Sequence, residues 1–477
     1  MSRLWALPNT ARWLVVLSSV GLLSAQQPEL PRYVSVRIEG VPHITQKPDF
    51  CGEACVAMYL QKRGFDADQD YVFDQSKLDP ALGRGCYTRE LARALQRIGF
   101  DAGTVWYTVP AKSASQPLDD QFAALLGDLR SGHPSIICTR YDETPKTTEH
   151  FRLILGYEAQ TDEVIYHEPA EKDGANRRMT RKQLLSLWPL KYDADQWSLI
   201  RMRLKLVKRP VIRKSDAFTD ADYCQHILAL KETLPSDSFQ VVIQRPFVVI
   251  GDEAPAVVRQ RATQTIKWAV DHLKQDYFER DPKDILNIWL FKDDDSYQSH
   301  VKEIFNDRPT TPFGYYSPQH KALIMNIATG GGTLVHEIVH PFMATNFPDC
   351  PAWFNEGLAS LYEQCSEVEG HIHGETNWRL QGLQTAIKKQ RLTTFRELCG
   401  TSTAQFYEDP QGHHYGQSRY LCYYLQEKGL LRKFYQEFRR QSRLDPTGYE
   451  TLRKVLKEQD MEAFQQSWEE YTVKLKF

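Results

Sequence analysis

Two histidines four residues apart, His336 and His340, sit inside an apolar run that reads Thr333-Leu334-Val335-His336-Glu337-Ile338-Val339-His340. An α-helix puts residues four apart about 40° apart on one face, so both imidazoles reach a single ion. Zinc suits two neutral histidines, and a catalytic zinc site adds a third protein ligand while leaving one position for water. Glu337 follows the first histidine, where a carboxylate can take a proton from that water, whose pKa zinc lowers to roughly 7.

A second helical pattern follows one helix length later, in Pro351-Ala352-Trp353-Phe354-Asn355-Glu356-Gly357-Leu358-Ala359-Ser360. The two motifs together resemble the gluzincins, the metallopeptidase clan whose third zinc ligand is a glutamate on the helix after H-E-x-x-H. The W-x-N-E-G-x-A signature is shared with aminopeptidase-like members, although the step from His340 to Glu356 is shorter than in the best-known of them. The resemblance implies a zinc cofactor held by His336, His340 and Glu356, with Glu337 as general base. Ser360 reads as a solvent-facing serine, with a second role behind a ligand histidine as the alternative. Upstream, Phe313–Tyr316 reads as a turn and Lys321–Asn326 as a strand, and the clan places an edge strand beside the zinc helix for an extended substrate to pair with. The clan also supplies a tyrosine or histidine from a later helix to the tetrahedral oxyanion. Tyr415 is the candidate, with Tyr407, His413 and His414 competing, whereas His371 and His373 read as solvated loop residues.

A thiol constellation occupies the other half. Gln46 precedes Cys51-Gly52-Glu53-Ala54-Cys55, where a cysteine opens an apolar helix and the positive end of the helix dipole favours thiolate. Cysteine catalysis also needs a distant histidine and a group that orients it. His150-Phe151 opens one β-rich run and His167-Glu168-Pro169 ends the next. This order resembles the bacteriocin-processing, papain-fold cysteine peptidases and their secreted stand-alone relatives, over about residues 33 to 200. The resemblance implies Cys51 as nucleophile, His150 as general base, Glu168 as orienting carboxylate and Gln46 as oxyanion donor. Two features depart from the family: Glu168 stands where aspartate is usual, and the Gln46-to-Cys51 gap is one residue tighter. Cys55, one turn past Cys51, reads as core.

The 477 residues exceed what one hydrophobic core usually serves, so two domains are expected. Residues 1–25 read as a signal peptide, with Arg3 and Arg12 before the apolar run Trp13–Leu23. That run is too short to span a bilayer, and no other stretch qualifies. Residues 26–205 form the first domain, 206–238 a basic, proline-interrupted linker, and 239–477 the second domain. The fold class is α+β: a papain-like cysteine peptidase fold, then a thermolysin-like domain with a small edge sheet and a mostly helical lobe. A net charge of −2 offers no polybasic face for nucleic acid. Nine cysteines suit an oxidising compartment, and Cys350 and Cys365 are close enough in sequence to pair.

The expected protein is a bacterial peptidase, secreted or periplasmic, that hydrolyses peptides with zinc and carries a second thiol site. Two alternatives stand beside it: an N-terminal domain that binds peptide without cleaving it, and a pair of pseudoenzymes in envelope assembly.

Overall fold

A computed structural model describes residues 33–213, 216–309 and 311–477. The signal peptide expected at 1–25 lies outside them. Helices and sheets are mixed throughout, in two main sheets.

In the first half the helix α1 (Cys51–Lys62) is buried from Gly52 to Leu60, on every side, so it runs through the core rather than over it. Helix α2 (Thr88–Ile98) is one-sided: Leu91, Ala94, Leu95 and Ile98 are buried, and the helix stops at Gly99, whose φ is +112°. The apolar pattern of the sequence reads as a helix over Thr88–Ile98, the bounds that α2 has. The antiparallel sheet comprises β1 (Val36–Arg37), β2 (Trp106–Pro110), β3 (Ser135–Arg140), β4 (Glu149–Glu158), β5 (Glu163–His167), β6 (Arg177–Thr180) and β7 (Gln196–Arg203). Its order is β2-β7-β3-β4-β5-β6, with β1 also on β4. Eight of the ten residues of β4 are buried, as expected for a strand covered on both faces.

The stretch read as a linker contains a helix, α4 (Asp220–Lys231), following the labelled α3 (Ser115–Arg130). A capping box between Thr219 and Asp222 starts α4, and Asp74 Oδ1 accepts the Ala221 amide. Ala221 and Cys224 belong to the core of the first half, while Tyr223, Ile227 and Leu230 pack under the second sheet. His226 Nε2 also lies 2.8 Å from Asn287 Oδ1. The segment is a splint between the halves.

The second sheet contains β8 (Gln240–Gln244), β9 (Phe247–Gly251), β10 (Leu286–Phe291), β11 (Gly314–Ser317) and β12 (Ala322–Asn326), in the order β8-β9-β10-β12-β11. The strand read at Lys321–Asn326 is interior, and the edge strand is β11, which the sequence reads as a turn. Its two tyrosines are adjacent between Gly314 and Ser317, and four residues are too short a run to register as a strand period. Ala254–Tyr277 reads in the sequence as one helical stretch, and in the structure a π-helical stretch at Ala262–Lys267 interrupts it. From Gly332 on, the regular elements are helices except for a hairpin, β13 (Cys365–Val368) with β14 (His371–Gly374). All nine cysteines are free, so Cys350 and Cys365 do not pair.

Candidate functional site

Helix α5 (Gly332–Asn346) carries the H-E-x-x-H motif and α6 (Ala352–Leu361) carries Glu356. Leu334, Val335, Ile338, Val339, Phe342 and Met343 bury one side of α5, each worth about 1.5–3 kcal/mol on full burial, which fixes the direction the two histidines face. Gly332 is required at its place: a Cβ there would lie 2.0 Å from the Glu363 carbonyl oxygen. Pro341 sits inside α5 and has no N–H to give the Glu337 carbonyl.

Ligand atoms of His336, His340 and Glu356 all lie within 4.8 Å of one another. His336 Nε2 is 3.2 Å from Glu356 Oε2, and His340 Nε2 is 3.8 Å from Glu356 Oε1. Glu356 Oε2 is buried and has no hydrogen-bond partner among the described residues. Two imidazoles and a carboxylate facing one point, with that oxygen unsatisfied, fit a divalent cation with open coordination. Each histidine is backed on its other nitrogen: His336 Nδ1 is 3.2 Å from Glu363 Oε1, and His340 Nδ1 is 3.1 Å from Asn355 Oδ1. Arg379 grips Glu363 with Nε at 2.9 Å and Nη2 at 2.7 Å, and Asn377 Nδ2 adds a bond of 3.0 Å.

The charges around this point are lopsided. Burial alone would lower the His336 imidazole, but Glu356 and Glu363 raise it well above its ordinary value. Against burial, His336 and His340 hold the Glu356 carboxyl down at about 2. Burial raises the Glu337 carboxyl, and its Oε2 accepts the amide of Tyr316 on the edge strand β11 at 3.0 Å. A cleft of about 890 Å³ opens onto His336 and Glu337, between Gly314 and Tyr315 of β11 and Trp378, Arg379 and Tyr415 on the far wall.

Tyr415, on α8 (His413–Glu427), lines that cleft beneath the Arg379 guanidinium, 5.1 Å from its ring centre. Tyr407, at the end of the short α7 (Thr403–Tyr407), donates its hydroxyl to Glu356 Oε1 at 2.5 Å. Both phenols are therefore at the site. His413 and His414 instead line a separate cavity of about 290 Å³ with Arg391 and Asp409. His371 and His373 lie on β14, bound to Asp276 and near Glu427, rather than in a solvated loop. Ser360 is fully buried and its Oγ has no hydrogen-bond partner among the described residues, so it neither faces solvent nor backs a histidine. Glu363 and Arg379 take that second role. Only the fold brings them in, since Arg379 is 23 positions past Glu356 with a hairpin between.

In the thiol half, Cys51 is the first residue of α1 and packs against the backbone amide of Phe151, the neighbour of His150 on β4. Glu168 is buried and bridges two β4 side chains: Oε1 meets His150 Nε2, and Oε2 accepts Arg152 Nε at 2.7 Å. Burial works to raise the Glu168 carboxyl, yet His150 and Arg152 hold it below its ordinary value. Glutamate thus reaches the histidine in place of the usual aspartate. The Gln46 amide donates to the Pro169 carbonyl at 2.8 Å, while its side-chain oxygen is buried without a partner among the described residues. Gly174 is needed beside this loop, because a Cβ there would stand 1.9 Å from the Glu168 carbonyl oxygen. The dipole argument for a thiolate is outweighed: burial pushes the Cys51 thiol up to about 12, with help from Glu53 and Asp49. Glu53 itself is fully buried, accepts the Cys86 amide at 2.7 Å, and burial raises its carboxyl to about 7. The sequence gives no sign of that role, since Glu53 sits among residues that read as an ordinary helix start.

Residues 38–194 match the model of the Peptidase_C39 like family, which supports a C39-peptidase-like domain in the first half. Among solved structures, the chain is similar to the peptidase domain of Streptococcus ComA, described as a bi-functional ABC transporter involved in quorum sensing. That match has 16% identity, covers 35% of this chain and 99% of the other, and has a TM-score of 0.24. A match to EndoMS in its apo form has 11% identity, covers 39% of this chain and 89% of the other, and has a TM-score of 0.10. No curated protein matches the chain. Among the described residues, no helix is long and apolar enough to cross a membrane.

Proposed function

We propose that this protein is a peptidase whose second half hydrolyses peptide bonds with zinc held by His336, His340 and Glu356. The observation that carries the reading is the convergence of those three ligand atoms within 4.8 Å, beside the buried carboxyl of Glu337. Held by these three residues, zinc would supply Lewis acidity to a water and to the scissile carbonyl. Glu337, whose carboxyl burial raises, would hold the proton given up by the attacking water and pass it to the leaving amine. Tyr415 or Tyr407 donates to the developing oxyanion. The free edge of β11 holds the substrate extended along the cleft. We further read residues 1–25 as directing export to the cell envelope.

The test is metal analysis of the purified full chain beside His336→Ala, with peptide hydrolysis measured in Glu337→Gln. One zinc per chain, lost in His336→Ala, and an inactive Glu337→Gln that keeps its zinc are the expected results. Activity surviving in Glu337→Gln refutes its assignment as base.

For the first half, Cys51, His150 and Glu168 support a thiol peptidase. A second reading, a domain that binds peptide without cutting it, is favoured by the burial that pushes the Cys51 thiol up to about 12. Alkylation decides between them: a catalytic thiol reacts with iodoacetamide well below pH 8, as a rough bound, and a structural one does not. Cys51→Ala should then remove only the iodoacetamide-sensitive cleavage.

A further inference from the structure

Arg152 lies in the middle of β4, between Phe151 and Leu153 of the hydrophobic core, and only 4% of its surface is exposed. A guanidinium is costly to bury unless its charge and its donors are all met. Here they are. Nε donates to Glu168 Oε2 at 2.7 Å, Nη1 to Thr139 Oγ1 at 2.5 Å and to the Arg140 carbonyl at 3.2 Å, and Nη2 to the Tyr141 carbonyl at 2.8 Å.

His150 is two residues earlier on the same strand and so on the same face. It meets the other oxygen of Glu168, and the Tyr141 ring stands edge-on to its imidazole with centroids 5.3 Å apart. One guanidinium therefore fixes both things that touch the imidazole, the carboxylate on one side and the backbone of the aromatic wall on the other. An ionised carboxylate only accepts hydrogen bonds, so the hydrogen of this contact belongs to His150 Nε2, and the neutral ring then carries its lone pair on Nδ1. Glutamate has one more rotatable bond than the aspartate usual at this place, and a carboxylate with a single partner could swing away. A second anchor on its far oxygen removes that freedom.

We propose that Arg152 is a positioning residue of the thiol site, clamping Glu168 so that a glutamate holds His150 in the Nε2–H tautomer with Nδ1 left as the base. The proposal rests on the reading of Cys51 and His150 as a thiol pair. The test keeps the two apart by including a readout that needs no thiol reactivity.

The full chain is labelled with ¹⁵N-imidazole histidine, and the His150 signals are assigned by their loss in His150→Gln. The variants are Arg152→Met and Arg152→Lys, each checked by circular dichroism and thermal unfolding. Lysine keeps the buried positive charge but not the forked donors, so it gives the answer if the methionine variant does not fold. The parent is expected to show the Nε2–H tautomer at neutral pH, and the folded variants a mixture of tautomers. Iodoacetamide modification of Cys51 is expected to slow by about tenfold in the variants. A His150 pattern unchanged in folded Arg152→Lys, or a parent without the Nε2–H tautomer, overturns the proposal. A parent Cys51 that does not alkylate near neutrality refutes the thiol peptidase reading, while the tautomer comparison still decides the role of Arg152.

Discussion

Glu363 offers a measurable test of the zinc reading away from the ligands themselves. It lies 3.2 Å behind His336 and is gripped by Arg379 and Asn377. Against burial, Arg379 and His336 hold its carboxyl down at about 2, so it is ionised at neutral pH. A carboxylate behind a ligand histidine fixes the ring and makes it a better donor, and its loss typically weakens metal binding 10- to 100-fold, about 1.4–2.7 kcal/mol. Glu363→Gln keeps the shape and an acceptor oxygen but loses the charge, so it should fall at the lower end. Glu363→Ala also strips Arg379 of its counter-charge beside the cleft, and should fall at the upper end. The assay is zinc competition between the apoprotein and a chromogenic chelator, with circular dichroism as the folding check. If both variants bind zinc within about twofold of the parent while remaining folded, the carboxylate does not support the ligand, and the metal reading of the cluster loses its strongest outer contact.

Three further outcomes are expected. Tyr415→Phe should lower kcat by about 10- to 100-fold with little change in KM, and equal loss in Tyr407→Phe would divide the oxyanion role between them; kinetics on a fluorogenic peptide separate these results. Glu53 makes the first domain pH-sensitive. Its folded carboxyl stands near 7 against an ordinary 4.5, so its contribution is fully present below about pH 4.5 and is lost as pH rises to 7, a change of about 3 kcal/mol. Urea unfolding of Glu53→Gln between about pH 5 and pH 8 should show a much flatter dependence than the parent, and equal slopes would discard the assignment. Arg379→Met should destabilise the folded protein by about 2–4 kcal/mol through the stranded Glu363 carboxylate, read as a drop in melting temperature; an unchanged melting temperature would contradict the buried pairing.

The parts of this molecule legible in the sequence are those governed by local spacing. The apolar patterns of the sequence read as a helix over Thr88–Ile98 and a strand over Leu286–Phe291, and the structure has both. His336, His340 and Glu356 were readable because two helical motifs, each self-contained, carry all three. What escapes is assembled across distance: Glu363 with Arg379, Glu168 with Arg152, the edge strand at Gly314–Ser317, and the hairpin at Cys365–Gly374. The helix at Asp220–Lys231 is a different case. Thr219 and Asp222 spell a capping box, but the basic, proline-broken run before it reads as a linker.

That helix has a practical consequence for dividing the protein. Its Cys224 side fills the core of the first half and its Tyr223 side fills the core under the second sheet. A cut placed before Asp220 bares an apolar groove on one product, and a cut after Lys231 bares it on the other. Whichever fragment is expressed without the helix should be the one that aggregates, and supplying Asp220–Lys231 as a separate peptide is the natural rescue.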